Sequence, residues 1–393
     1  VTSPEELAAI AAGAGLGRIH IVAWRDLADV EAGGSEIHAA EVAKRWAAAG
    51  IDVTMRTSYA QGHPPIITRD GYRVIRRAGR YLVFPRAALS ELIERHGPWD
   101  GLVEVWNGMP FFSPLWGRGR PRVVIVHHLH AEMWRMVLAE NPRLARAGEL
   151  LEARVAPPFY RRSRVITPSE SSKAELVQAM GLRPDRVTVV WPGVDARFTP
   201  GGERSPRPMV VAAGRLVPVK RHHVLIDALA RVREEHPGLE AVITGDGYER
   251  AALEEARDRA GARDWLHLPG WLSDDALVDL YRRAWLVASA SVREGWGMTI
   301  TEAAACGTPA VVTDIGGHRD AVIDGETGLL ARDPDDLARK IATVLSDDVL
   351  RKDLGERALA RAGGFTWDAT ARGALEALAS EAHRRHRRRH RRR

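Results

Sequence analysis

Twice along this 393-residue chain, short β-branched runs alternate with stretches patterned as amphipathic helix, and that alternation limits the fold more than any other feature. Arg18 to Trp24 reads as a strand, Ser35 to Ala49 as a helix ended by Gly50, and Ile51 to Arg56 as the next strand, which makes a βαβ unit. Further strand-like runs follow at Gly101 to Val105, Arg122 to Val126, Arg164 to Ile166 and Val187 to Val190. Phe198 to Pro208 (FTPGGERSPRP) then breaks the pattern, with three prolines and two glycines in eleven residues. Beyond the break the series restarts at Met209 to Ala213, Leu239 to Thr244, Leu266 to Leu268, Leu286 to Ala288 and Ala310 to Thr313, with helical stretches such as Val224 to Glu235 and Glu249 to Ala260 between them. The expected fold is therefore α/β, with two doubly wound, Rossmann-like domains facing across a cleft and ligands bound by the loops at the carboxyl ends of the strands. No short repeat points to a solenoid.

Composition removes several functional classes. No run of about 18 uncharged apolar residues occurs, and Glu5 and Glu6 stand where a secretory signal would be basic, so neither a membrane span nor an export signal is expected. A single cysteine, Cys306, permits no internal disulfide and no cysteine-rich metal site, which fits a cytoplasmic location. The formal charge of +6 belongs to the end of the chain: residues 383–393 (HRRHRRRHRRR) hold eight arginines, and without them the balance is −2. Such a block is expected to repel itself into a disordered tail, either a plain solubilising extension or a patch for peripheral contact with an anionic membrane. Nucleic acid is not expected as a partner, and a nucleic-acid-binding module driven by the tail stands only as a rival reading.

Four loops carry residues suited to chemistry. Glu294-Gly-Trp-Gly-Met-Thr-Ile-Thr-Glu302 sets two carboxylates eight positions apart around a glycine turn, with a helix expected to open near Met298. The unpaired N–H groups and positive dipole end of that helix attract phosphate, and the two carboxylates can hold hydroxyls on either side of a diphosphate. Thr299 with Glu302 fits a helix capping box equally well. Gly214-Arg215-Leu-Val-Pro-Val-Lys220-Arg221 follows the first strand of the second series, so Arg215 and Lys220 either meet a leaving diphosphate or form a solvated basic loop. In the first series, Gly33-Gly34-Ser35-Glu36 allows a close approach to phosphate at Gly34 or simply starts a helix with Ser35 as its cap. Val126-His127-His128-Leu129-His130 ends a strand, and His127 there can meet a substrate hydroxyl; no second ligand cluster supports a metal, and none is assigned. Asp333-Pro-Asp335 reads as a helix cap.

With these motifs in view, the chain resembles the retaining glycosyltransferases of family 4, group 1 glycosyl transferases of GT-B fold, from about Ile19 to Ala379. The resemblance implies that Glu294 contacts donor-sugar hydroxyls, Glu302 the ribose, Arg215 and Lys220 the diphosphate, Gly34 the same diphosphate from the first domain, and His127 the reacting sugar. It also places Gly297, Met298 and Thr299 in the donor site, and Gly270 and Trp271 of Leu268-Pro-Gly-Trp in a loop contacting the base. Trp191-Pro-Gly-Val-Asp195 and Gly316-Gly317-His-Arg-Asp320 match further family marks, although Pro192 replaces the usual Asn and His128 the usual Asp. Phe365-Thr-Trp367 precedes a last helix that in the family crosses back to the first domain.

The expected domains are thus 1–200 on the acceptor side, 201–364 for the nucleotide sugar, 365–382 as the returning helix and 383–393 as the tail. The implied activity is retaining transfer of a sugar from a UDP- or GDP-linked donor to the hydroxyl of a small-molecule, lipid or glycan acceptor. No cofactor and no divalent metal are expected. A GT-B epimerase or phosphorylase is the rival, and a dehydrogenase is disfavoured because Gly245-Asp-Gly247-Tyr-Glu-Arg250 has arginine where a third dinucleotide-binding glycine belongs.

Overall fold

The computed structural model describes residues 2–117, 119–131, 133–138 and 140–390, with the backbone alone at 137 and 388–390. It divides into two compact units, one of residues 1–193 with 366–393 and the other of residues 194–365.

The first unit is built on a sheet of eight strands: β1 (Arg18–Val22), β2 (Asp52–Thr57), β3 (Ile66–Arg69), β4 (Tyr72–Arg76), β5 (Gly101–Trp106), β6 (Arg122–Val126), β7 (Arg164–Thr167) and β8 (Val187–Val189). Their order is β3-β4-β2-β1-β5-β6-β7-β8, parallel throughout except for the β3–β4 pair. Each of the strands expected from β-branched runs is present, and burial explains why they were legible: β5, for example, is buried at all six positions. The hairpin β3–β4 was not expected. It turns at Asp70-Gly71, both at positive φ, and exposes alternate residues of β3, so it shows no continuous apolar run. The Pro4–Ala14 and Gly34–Ala48 helices pack with the Trp367–His390 helix, where Trp46 Nε1 donates to the Ala371 carbonyl at 2.9 Å and Leu375 and Leu378 are fully buried.

The second unit holds β9 (Met209–Ala213), β10 (Glu240–Thr244), β11 (Leu266–Gly270), β12 (Leu286–Ser289), β13 (Ala310–Thr313) and β14 (Gly328–Ala331). All pairs are parallel, in the order β11-β10-β9-β12-β13-β14. Counted from the first strand this is 3-2-1-4-5-6, the order of a doubly wound nucleotide-binding fold. β14, four residues beginning with glycine, was too short and weak to be read from the sequence.

Two expected boundaries move. The first unit ends at 193, not 200, because the proline- and glycine-rich segment is stitched onto the second: Val194 N–H donates to the Phe365 carbonyl at 3.0 Å, Phe198 packs on Tyr281, and Arg282 holds both oxygens of Thr199 at 2.8 Å. Turn composition there marked a pinned strap, and the true junctions are Gly193/Val194 and Phe365/Thr366. Residues 383–390 are likewise not disordered but continue the last helix. Arg384 and Arg385 fold back onto the buried Glu381 one turn earlier, which ties the start of the basic segment to the helix. Residues 391–393 lie outside the described residues. No helix among the described residues is long and apolar enough to cross a membrane.

Candidate functional site

In the second unit every strand is parallel, so all the loops after the strands emerge along one edge of the sheet. Strand order reverses between β9 and β12, and ligands of such sheets bind where the two neighbouring loops part. The loop after β9 carries Gly214, Arg215 and Lys220; the loop after β12 carries Ser291 and Glu294. The geometry brings them together: Lys220 Nζ lies 2.5 Å from Glu294 Oε1, and Ser291 Oγ donates to the same oxygen at 2.8 Å. Burial alone would push the Glu294 carboxyl up. Lys220 and His318, with the hydrogen bonds from Lys220 and Ser291, outweigh it and hold the group below the usual carboxylate range. Two residues 74 positions apart in sequence thus form one ion pair at the switch point.

The surroundings fix that pair. The half-buried Arg215 side chain makes no hydrogen bond or ion pair among the described residues, so its guanidinium stays available. His222 is buried beneath the same loop, where burial and the neighbouring Lys220 lower its pKa to about 4 despite a hydrogen bond to the Arg215 backbone. His318, pushed down by its own burial, hydrogen-bonds through Nδ1 to the Thr313 carbonyl at 2.8 Å, while Thr313 Oγ1 donates to the Ser291 carbonyl at 2.6 Å. The Gly316–Ala321 helix presses so closely on the Glu294 loop that a Cβ at Gly317 would stand 2.4 Å from the Glu294 carbonyl oxygen.

The Met298–Ala305 helix opens where the sequence placed it, but its cap is Gly297 at φ +110°. Thr299 is therefore inside the helix, and the capping-box alternative for Thr299 and Glu302 fails. The first N–H groups, on Met298 and Thr299, have no intrahelical acceptor by construction. Glu302, a turn further on, is half-buried; burial pushes its carboxyl up to about 7, although the Tyr281 hydroxyl donates to Oε2 at 3.5 Å. Gly270 closes β11 and accepts through its carbonyl from Gly245 N–H at 2.9 Å and Thr244 Oγ1 at 2.7 Å, which leaves Trp271 projecting, 71% exposed, at the same end of the sheet. Asp333 caps the Pro334–Ser346 helix through Asp336 N–H, as its motif suggested.

In the first unit, Gly34 is the first residue of the Gly34–Ala48 helix. Glu36, not Ser35, closes that start, accepting from Gly33 N–H at 2.8 Å, while Ser35 bridges Glu36 and Asn107 at 2.9 Å each. His127 directly follows β6, and its Nε2 lies 2.9 Å from Nδ1 of His38. His128 stacks on His130 at 5.2 Å, and the buried Glu152 accepts from His130 and Ala131 N–H at 2.9 and 2.8 Å. Among the described residues no group of three metal-ligating side chains converges. The sequence reading missed Ser291, His222 and His38. Ser291 lies two residues beyond β12 and was findable from position; His38 was not, because no local spacing links it to His127.

Comparison with known proteins gives the family. Residues 195–361 match the family model described as glycosyl transferases group 1, and residues 32–198 match that of glycosyltransferase family 4. The chain is 31% identical over 392 residues to the D-inositol 3-phosphate glycosyltransferase of Kribbella flavida, covering 88% of this chain and 90% of that protein. It is 32% identical over 394 residues to the protein of the same name in Salinispora arenicola, covering 88% and 87%. Among solved structures it is similar to sucrose-phosphate synthase from Thermosynechococcus elongatus (TM-score 0.75, 20% identity, 94% of this chain and 98% of that one). It is also similar to WaaG, a glycosyltransferase involved in lipopolysaccharide biosynthesis (TM-score 0.73, 17%, 92% and 99%), and to Anabaena HepE bound to UDP-glucose (TM-score 0.71, 22%, 92% and 99%). The fold is that of the GT-B glycosyltransferases. The chain belongs to glycosyltransferase family 4, within the group 1 glycosyl transferases, and is a glycosyltransferase.

Proposed function

We propose that this enzyme transfers a sugar from a UDP- or GDP-sugar to an acceptor hydroxyl with retention of anomeric configuration and without a divalent metal. The observation carrying the reading is the Lys220–Glu294 pair at the β9/β12 switch point, with the Arg215 guanidinium beside Gly214 in the same loop. Arg215, Lys220 and the N–H groups of Met298 and Thr299 supply the positive charge that a departing nucleoside diphosphate develops, which is the work a metal does elsewhere. Donor hydroxyls then take over the hydrogen bonds of Glu294, and the entering diphosphate takes over Lys220. Glu302 is assigned to the ribose hydroxyls, Gly270 and Trp271 to the base, Gly34 to the diphosphate from the first unit, and His127 to the reacting sugar. Retention follows if the acceptor attacks from the face the diphosphate leaves, because a phosphate oxygen can then take the acceptor proton and no protein base is required.

The acceptor is read only as a hydroxyl-bearing molecule. Relatives named for D-inositol 3-phosphate make a polyol phosphate the first to assay. The test is product analysis: incubation with UDP- and GDP-hexoses in the presence of EDTA, with the anomeric proton coupling of donor and product read by NMR. A new glycosidic bond of unchanged configuration is the expected result. An inverted product, a requirement for metal, or an epimerised donor without transfer overturns the reading.

A further inference from the structure

His38 lies on the Gly34–Ala48 helix, buried at 1% exposure, with its ring 5.9 Å from that of Trp367 at the start of the last helix. It meets His127 edge to face, ring centroids 5.0 Å apart, through the 2.9 Å contact between its Nδ1 and His127 Nε2. The remaining nitrogens, His38 Nε2 and His127 Nδ1, are covered and have no hydrogen-bond partner among the described residues.

Two neutral imidazoles sharing one such contact have two arrangements. If His127 donates, His38 carries its second proton on Nε2, deep in the helix packing, and the unpaired N–H is buried where nothing can satisfy it. If His38 donates, the unpaired N–H moves to Nδ1 of His127, covered as well but on a half-buried residue just past the carboxyl end of a strand, where an entering substrate oxygen can pair it, and the deep Nε2 keeps only a lone pair. A buried N–H without an acceptor is the rarer and costlier of the two defects. Burial depresses both rings, with His127 at about 4, so neutral forms apply.

We infer that His38 is a positioning residue whose Nδ1–H donates to His127 Nε2, locking His127 as the Nδ1–H tautomer and leaving that N–H as the donor offered to a substrate oxygen. The inference rests on the proposed role of His127 at the reacting sugar. Trp367 packs beside His38 as well, so the returning helix supports this pair as well as the core.

The test uses the full chain labelled with 15N-histidine, in which His127 is assigned by the resonance lost in His127→Gln and its tautomer read from the imidazole nitrogen shifts. The wild-type protein is expected to show the Nδ1–H tautomer. His38→Asn, whose amide N–H takes the place of Nδ1–H, keeps that tautomer and most of kcat; His38→Leu shifts His127 toward Nε2–H and lowers kcat by about tenfold or more, with KM for the nucleotide sugar within about twofold. An Nε2–H tautomer in the wild type, an unchanged tautomer in folded His38→Leu, or equal loss of rate in both variants overturns the inference. Should His38→Leu fail to fold, the wild-type and His38→Asn spectra still decide it. Absence of transfer from every nucleotide sugar tells against the functional reading alone, and the spectra then judge His38 independently.

Discussion

Glu294 and Glu302 belong to one sequence motif but sit in opposite electrostatic settings, and the difference is measurable. Glu294 has a cation and a hydroxyl on one oxygen, so it stays ionised and can accept from donor hydroxyls. In the proposed donor site, replacing it by alanine leaves the sugar hydroxyls unpaired, a loss of about 1.5–3 kcal/mol for a charged hydrogen bond, so kcat/KM should fall by roughly 10- to 150-fold while UDP binding changes little; steady-state kinetics and titration calorimetry separate the two. Glu302 titrates at about 7 in the folded chain, above the ordinary carboxyl value of 4.5. Between these values the native state binds the extra proton, so its contribution favours folding at the acid end and is lost as pH rises to about 7. Glu302→Gln should flatten that part of the stability–pH curve in chemical denaturation. If Glu302 holds the ribose hydroxyls as proposed, its carboxylate is the stronger acceptor, so UDP binding to the unmodified chain should strengthen from pH 6 to 8 and release a proton, seen as buffer-dependent heat; the variant should lose both effects.

Helix starts in the second unit differ in whether a side chain caps them, and the proposed donor site uses one that is left open. Asp333 caps the Pro334–Ser346 helix with a side-chain oxygen on Asp336 N–H at 2.8 Å. Asp333→Ala should cost about 1 kcal/mol in denaturant melts and leave turnover unchanged. The Met298–Ala305 helix instead starts on a glycine without a side-chain cap, at φ +110°. Alanine at 297 is strained by that backbone, on the order of 1–3 kcal/mol, and relief by rotation moves the N–H groups of Met298 and Thr299, so Gly297→Ala should lose stability and turnover together. Sequence reading located this helix correctly, because Gly-Trp-Gly followed by a helical pattern is a start signal. It could not choose between a capping box and an open terminus, since that depends on one φ angle at Gly297.

At the scale of the whole molecule, the last helix closes the first unit although the second unit lies between them in sequence. Leu375 and Leu378 join the core formed by the first two helices and the sheet, and Thr370 Oγ1 donates to the Trp191 carbonyl at 2.7 Å. Near its end Glu381, 1% exposed, is held by Arg384, Arg385 and Arg186. Burial would raise its pKa, but the two arginines one turn later outweigh that and lower it. Ending the chain after Ala382 strips away two of the three cations and leaves a buried carboxylate underpaired, which should lower the melting temperature by at least about 2 °C. Ending it after Arg385 should not. Equal melting temperatures for the two truncations would show that the basic segment contributes nothing to the fold.

The alternation of β-branched runs with helical patterns determined by itself that this chain forms two mostly parallel α/β sheets, because a strand buried on both faces must be largely apolar. Loop composition likewise placed Arg215, Lys220, Glu294 and Glu302 after particular strands. Tertiary structure alone decided which of these touch: the Lys220–Glu294 pair exists because strand order reverses between β9 and β12, and hydrogen bonding between strands far apart in sequence sets that order. The same holds for His38 on His127, for the strap of residues 198–208 and for the helical end of the chain, each fixed by a partner that no local pattern names.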